Sequence, residues 1–102
     1  MRIIWTHPAR ADVNGIWDYL QKCRPRAAEL TESAILKAVD RLVAFPYLGR
    51  PGRKDGTREL VITGRPYIVI YGVVAETVVI FRVLHSAQNW PDQGSGIGGE
   101  QE

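Results

Sequence analysis

The sequence has 102 residues, of which 45% are hydrophobic and 24% charged, and its formal net charge is +2. This size leaves room for one domain with one core, and no apolar run is long enough to cross a membrane. The single cysteine, Cys23, excludes an intrachain disulfide and a thiolate metal cluster. The N-terminus has no long apolar segment of the signal-peptide type, so we expect a cytoplasmic protein that needs no metal or cofactor.

The charge is distributed unevenly along the chain. Three of the 11 acidic residues follow Trp90, whereas none of the 13 basic residues does, so the preceding part carries a net charge of +5. Much of this excess lies in a Gly- and Pro-rich stretch at 46–66, here called the basic segment. It either attracts phosphate or an acidic partner or is an ordinary solvated loop. Its basic residues are Arg50, Arg53, Lys54, Arg58 and Arg65.

The chain opens with a predicted strand at 2–6, in which Ile3 and Trp5 share one face. Thr6 or His7 can cap the helix that follows, and Pro8 suits its first turn. The apolar residues of this helix recur at helical spacing and form one stripe. They are Ala9, Val13, Ile16, Trp17 and Leu20.

A second amphipathic helix is predicted to run from about residue 26 to 45. Arg24 precedes Pro25, and a residue before proline avoids the helical region, so the first helix ends there. Ile35, Leu42 and Phe45 lie on the predicted core face of the second helix. Two such helices with a short connection form an antiparallel hairpin. The stretch 46–52 is too rich in proline and glycine for a regular element and is predicted to be an ordered loop.

Three strands are predicted after residue 57, because valine, isoleucine, tyrosine and phenylalanine dominate 58–63, 66–74 and 77–84. The connections at 64–65 and 75–76 are short enough for hairpin turns, so these strands are antiparallel neighbours. We therefore predict an α+β fold in which an N-terminal strand and an antiparallel helical hairpin pack on a small, mainly antiparallel sheet. The domain is expected to span 1–91, followed by a flexible, Gly-rich acidic tail at 92–102.

Four stretches together resemble the RelE/ParE family of bacterial toxins over residues 1–91. No single stretch is diagnostic, but their order is specific to this layout. The resemblance implies the toxin of a type II toxin–antitoxin pair, silenced by an antitoxin segment that folds onto it. It also implies that a ParD-like or similar antitoxin is encoded next to this chain. The stretches are IIWTHPARADVNGIWDYL, LVAFPYLGRPGRKDGTREL, RPYIVIYGV and VVIFRVLHSAQNWP.

The resemblance implies one of two targets, because RelE-type members cleave mRNA on the ribosome and ParE-type members poison DNA gyrase. A RelE-like site has arginines at positions that Thr63, Ile68 and Gln88 occupy here. We therefore interpret the chain as ParE-like, acting by binding gyrase. The alternative is a ribosome-dependent mRNA endonuclease. Its candidate catalytic residues are Arg58, Tyr67, Arg82 and His85, which could activate a hydroxyl and stabilise charge on phosphate.

Each candidate residue also has a purely structural interpretation. Arg82 inside an apolar strand needs a partner, and Glu59 on a neighbouring strand is the one we expect. His85 at a strand end is more often a hydrogen-bonded structural group than a base. Trp5 and Trp17 are core residues or, together with Tyr71, candidates for binding the antitoxin.

Overall fold

The computed structural model describes residues 1–87. Within that range no helix is both long and apolar enough to span a bilayer. The predictions that concern Gln88, the domain boundary at 91 and the tail at 92–102 lie outside the described residues.

The core of the fold is one five-stranded sheet with the order β1-β5-β4-β3-β2. β1 lies parallel to β5, and every other neighbouring pair is antiparallel. This arrangement confirms the predicted α+β fold with its mainly antiparallel sheet. The strands are β1 (Arg2–Trp5), β2 (Arg50–Pro51), β3 (Arg58–Val61), β4 (Tyr67–Val74) and β5 (Thr77–His85).

Two helices, α1 (His7–Cys23) and α2 (Pro25–Asp40), follow β1 and pack against each other. The Thr6 side chain caps α1 by accepting a hydrogen bond from the Ala9 amide at 3.2 Å. This cap and Pro8 in the first turn confirm the predicted start of the helix. A proline, Pro25, also occupies the first turn of α2. Because α1 ends at Cys23, only Arg24 separates the two helices.

The second helix is shorter than the sequence predicted. It ends at Asp40 and continues as one 3₁₀ turn, Arg41–Val43. A 3₁₀ turn advances by three residues rather than 3.6, so the helical spacing no longer places later residues on the core face. Leu42 is still fully buried, but Phe45 is 62% exposed, and its assignment to the core was wrong.

The proline-rich loop contains a short strand, β2, that the sequence did not predict. β2 pairs Arg50 with Glu59 and Pro51 with Arg58 at the margin of the sheet. A proline is tolerated on an edge strand, where its missing amide has no partner to lose. The predicted two-residue turn at 64–65 is also longer, because the last hydrogen bond before it joins the Ile62 amide to the Tyr67 carbonyl.

Both faces of β4 are buried, as its continuous apolar sequence predicted. The helices cover one face, which includes Val69 and Tyr71, and the opposite face carries a smaller cluster of Ile68, Ile70 and Leu84 with Phe81. A β-bulge shifts the register of β5 beside Ile70 and Tyr71. The bulge inserts one extra residue, so Ile80 and Val83 both reach the helix-covered core despite their odd spacing.

Candidate functional site

The first half of β5 is covered by a neighbouring strand and the second half is not. β1 pairs with Thr77–Ile80 only, after which the Thr6 hydroxyl donates a hydrogen bond to the Phe81 carbonyl at 3.0 Å. In the described part of the chain, no strand lies beside the following residues on that side. We call Arg82–Leu84 on this side the β5 margin.

Asp12 of α1 closes the β5 margin. Its carboxylate accepts hydrogen bonds from the Arg82 guanidinium at 2.7 and 3.0 Å. The same carboxylate accepts the Val83 amide at 2.9 Å, which gives an outward-facing backbone donor a partner. The expected pairing of Arg82 with Glu59 was therefore wrong. One carboxylate both neutralises the arginine and blocks the sheet edge, a recognised protection against unwanted strand pairing.

A groove of about 770 Å³ lies between α1 and the end of β5, and we call it the α1–β5 groove. Gly15 forms part of its wall, and a Cβ atom there would meet nothing within 4 Å. Other lining residues include Ile16, Tyr19, Tyr67, Val83 and His85.

Tyr67 and His85 meet in this groove as cross-strand partners. Their rings lie edge to face with centroids 5.6 Å apart. Burial raises the pKa of the Tyr67 phenol above its usual value, and the nearby Tyr19 adds to the effect. The Nδ1 atom of His85 accepts the Ala87 amide at 3.1 Å. These contacts explain how both side chains are held in place.

Glu59 organises the first part of the basic segment. It is 2% exposed and accepts hydrogen bonds from the Arg50 guanidinium at 3.0 and 3.3 Å. It also accepts the Arg53 amide at 3.2 Å, and the Arg53 guanidinium lies 3.7 Å away. A buried carboxylate thus fixes two arginines that are 60% and 50% exposed, beside the exposed Lys54. The result is a positively charged loop with a defined shape.

Arg58 and Arg65 do not belong to the group formed by Arg50, Arg53 and Lys54, for two different reasons. The Arg58 guanidinium donates to the Gly49 carbonyl at 2.9 Å and lies 5.2 Å from the centre of the Tyr47 ring. It therefore supports the loop that precedes β2. Arg65 lies in the turn after β3, at the opposite end of that strand, so the structure does not place it with Arg50, Arg53 and Lys54.

The four nuclease candidates do not form one cluster. Tyr67 and His85 touch, but Arg58 lies opposite Tyr71, four residues along β4 and about 13 Å from Tyr67 at the usual strand rise. Arg82 is bonded to Asp12. Within residues 1–87, no three histidine, cysteine, aspartate or glutamate side chains come together in a way that could hold a metal ion.

The aromatic candidates for antitoxin binding differ in accessibility. Tyr71 is fully buried, and its hydroxyl accepts the Gly49 amide and donates to the Pro46 carbonyl, both at 2.8 Å. This burial corrects the prediction that Tyr71 contacts the antitoxin, because its side chain is a structural anchor inside the protein. Trp5 and Trp17 are half-buried, and Trp5 packs against the helix-covered core. Their role in antitoxin binding stays a prediction.

The opposite side of the sheet has a margin of a different kind. β2 pairs only with Arg58 and Glu59, so Leu60 and Val61 of β3 lie beyond its end. We call Leu60–Val61 on that side the β3 margin. A shallow groove of about 330 Å³ adjoins it, lined by Arg41, Leu48, Arg50, Val61 and Thr63 among others.

Two of the residues that organise these surfaces, Asp12 and Glu59, were not chosen as site residues from the sequence. Asp12 meets Arg82 across 70 residues of chain. A single sequence contains no local pattern for such a contact. Glu59 offered a weak signal, because an acidic residue within an apolar strand and a basic segment requires cationic neighbours.

Comparison with known sequences gives a consistent result. The sequence model of a family described as the ParE toxin of the type II toxin–antitoxin system parDE matches residues 3–90. A relative from Sinorhizobium fredii, named "Putative toxin Y4kP", is 42% identical over 88% of this chain and 93% of its own length. The toxin RelE2 of Caulobacter vibrioides is 34% identical over 85% of this chain and 97% of its own.

Two solved structures share the fold. A chain from the chromosomal ParDE system of P. aeruginosa superposes with a TM-score of 0.76 at 28% identity, covering 83% of this chain and 95% of that one. A chain of the toxin–antitoxin complex RelBE2 from Mycobacterium tuberculosis gives a TM-score of 0.56 at 28% identity. In that case the match covers 82% of this chain and 95% of the other.

Proposed function

The chain belongs to the ParE toxin family of type II toxin–antitoxin systems, and from that premise we propose that it arrests growth by poisoning DNA gyrase. A ParD-like or similar antitoxin, encoded next to it, would neutralise it in the cytoplasm. The solved relatives come from a ParDE system and from a RelBE2 complex, which supports a protein antitoxin as partner.

The observation that favours gyrase over RNA cleavage is the separation of the candidate catalytic residues. Cleaving RNA requires a base, an acid and charge stabilisation around one phosphate. Here Arg82 is engaged by Asp12, and Arg58 supports a loop far from Tyr67 and His85. Ile68, at a position where the nuclease pattern has an arginine, is buried in an apolar cluster.

The shaped cationic loop offers a surface for binding instead. Arg50, Arg53 and Lys54 protrude from a loop that the buried Glu59 fixes, so they can contact an acidic protein surface or DNA held by gyrase. Binding through several exposed cations needs no proton transfer. Loss of one side chain then weakens the contact rather than abolishing it.

Two observations favour the alternative, a ribosome-dependent mRNA endonuclease. Tyr67 and His85 are in contact within the α1–β5 groove, and a relative is named RelE2. In that mechanism His85 would act as acid or base, and the ribosome would supply further groups. The two targets predict different responses to the same substitution.

The test compares growth of cells that express the chain alone, the chain together with the antitoxin encoded next to it, and the His85→Ala variant alone. We expect growth arrest by the chain alone, rescue by the antitoxin, and gyrase–DNA cleavage complexes while bulk mRNA stays intact. His85→Ala should weaken the arrest only slightly. Ribosome-dependent mRNA cutting that falls by ~10²-fold or more in His85→Ala would establish the nuclease instead. Unimpaired growth with soluble protein would exclude a toxin.

A further inference from the structure

The hydrogen-bonding pattern of β3 shows where its backbone groups point. The Ile62 amide donates to the Tyr67 carbonyl at 3.0 Å, so these two residues form a hydrogen-bonded pair. Such pairs alternate with non-bonded pairs along an antiparallel ladder. Leu60 and Val69 are therefore a bonded pair, and Val61 and Ile68 are a non-bonded one. The N–H and C=O groups of Val61 consequently point away from β4, to the side where β2 has already ended.

The surroundings of Val61 are apolar and positively charged. Its side chain is 53% exposed, and Leu48 across the shallow groove is 41% exposed. Arg41, at the end of α2, and Arg50, at the start of β2, also line this groove together with Glu59, which is bonded to Arg50 at 3.0 Å, so the three charged side chains leave one net positive charge. An outward-facing backbone donor and acceptor, two apolar side chains and two cations thus lie within one groove of about 330 Å³.

We propose that the β3 margin receives an extended acidic segment of the antitoxin as a sixth strand of the sheet. The segment exchanges backbone hydrogen bonds with Val61, packs an apolar side chain on Val61 and Leu48, and directs carboxylates to Arg41 and Arg50. Strand addition at a sheet edge takes affinity from main-chain bonds and specificity from such side-chain pockets. The inference rests on the proposed toxin function, because it names where the antitoxin binds.

The positive charge of the groove favours the antitoxin over a second copy of this chain as the molecule that pairs with the β3 margin. Symmetric pairing of two β3 margins would bring the same cationic groove of both copies together, and like charges that face each other across strands are destabilising. An acidic segment removes that repulsion. The β5 margin is a poorer site for a strand, because Asp12 already accepts the Val83 amide.

The first test measures amide hydrogen exchange of the full chain by NMR, alone and saturated with the small acidic protein encoded by the neighbouring gene. The Val61 amide should exchange rapidly in the free chain and slow by ~10²-fold or more in the complex, because it gains an acceptor. The Leu60 amide, already bonded to Val69, is the internal control and should change little. Unchanged exchange at Val61 in a saturated complex overturns the proposal while leaving the antitoxin assignment intact.

The second test uses Val61→Pro with Val61→Thr as its matched control. Proline removes the outward amide without removing a bond to β4, and a strand residue precedes it, so the fold should tolerate the change. Threonine keeps the amide. We expect antitoxin affinity to fall at least ~10-fold for proline and less than ~2-fold for threonine, with growth arrest retained. Equal affinities of the two variants contradict the proposal.

A third pair of variants covers the case in which Val61→Pro does not fold. Arg41→Glu reverses a charge that lines the groove, and Arg26→Glu makes the same change at the exposed start of the same helix. Only Arg41→Glu should weaken antitoxin binding, by ~5-fold or more. A dimer of the free chain that Val61→Pro disrupts, with antitoxin affinity unchanged, would assign the margin to a second copy. Lack of any binding by the unaltered chain overturns both the proposal and the antitoxin assignment.

Discussion

The β5 margin and the β3 margin differ in whether their outward-facing backbone groups have hydrogen-bond partners. At the β5 margin, the carboxylate of Asp12 accepts the outward-facing Val83 amide and binds Arg82. At the β3 margin, the pairing of β2 with β3 ends at Glu59, which leaves the backbone of Val61 facing a cationic, partly apolar groove. An unprotected edge invites pairing with another chain, so of these two margins the β3 margin is the better candidate for strand addition.

The largest effect is expected from Asp12→Ala, which would remove the protection of the β5 margin. The substitution takes away the acceptor of the Val83 amide and the carboxylate beside the Arg82 guanidinium. Hydrogen bonds that involve charged groups contribute about 1.5–3 kcal/mol each, and partial exposure reduces the sum. We expect the free energy of unfolding to fall by about 2–3 kcal/mol, measured by urea denaturation.

Asp18→Ala is the matched control for this prediction, because Asp18 is an exposed residue of the same helix. It should change the free energy of unfolding by no more than about 0.5 kcal/mol. Asp12→Ala should also aggregate at concentrations where the control stays monomeric. Equal behaviour of the two variants would mean that the carboxylate does not protect the edge.

A smaller loss of stability is expected from Tyr71→Phe, which tests what fixes the length of β2. The Tyr71 hydroxyl accepts the buried Gly49 amide and donates to Pro46, and these bonds hold the chain just before β2 begins. Leaving a buried donor unpaired costs about 1–3 kcal/mol. We expect that loss in thermal unfolding, with faster amide exchange at Gly49 and Arg50.

Tyr47→Phe serves as the comparison, because this neighbouring tyrosine is 63% exposed. Its free energy of unfolding should change by less than about 0.5 kcal/mol. If both phenylalanine variants lose the same stability, the buried hydroxyl does not anchor the loop.

The smallest effect concerns the pH dependence of stability near the β5 margin. The pKa of Tyr67 is raised above 10.0 by burial and by Tyr19, so the folded state favours the neutral phenol. The resulting stabilisation is present below the pKa of the unfolded chain and is lost as the pH rises through the folded pKa. Tyr67→Phe should therefore lose less stability than the unaltered chain between about pH 9 and about pH 11, measured by urea denaturation. Parallel curves for the two proteins would contradict the assignment.

The sequence predicted the elements of the fold because their signals are local. The alternation of Ile3 and Trp5, the proline two residues after Thr6 and the apolar run of β4 each fix a structure within a few residues. Phe45 was misplaced, because the change from α-helix to 3₁₀ turn depends on how the following loop packs.

The two margins could not be predicted from the sequence, because the contacts that form them join residues far apart in the chain. Asp12 reaches Val83 across 71 residues, and the end of β2 depends on the contact between Gly49 and Tyr71. A Cβ atom on Gly49 would lie 2.8 Å from the Glu59 carbonyl oxygen, so this loop also needs a glycine whose reason appears only in the folded structure. Edge protection is a property of tertiary structure, whereas strand content can be inferred from composition.

The parallel pairing of β1 with β5 has a consequence for synthesis of the protein. Thr6 bonds to Phe81, 75 residues later in the chain, and Arg2–Trp5 pair with Thr77–Ile80. Contacts of such long range form late, and the N-terminal part of a chain leaves the ribosome first. β1 thus waits for its partner until nearly all of the described chain has been translated. A message broken before the codons of β5 therefore yields a chain that cannot complete the sheet, so this fold forms only after the β5 segment has been synthesised.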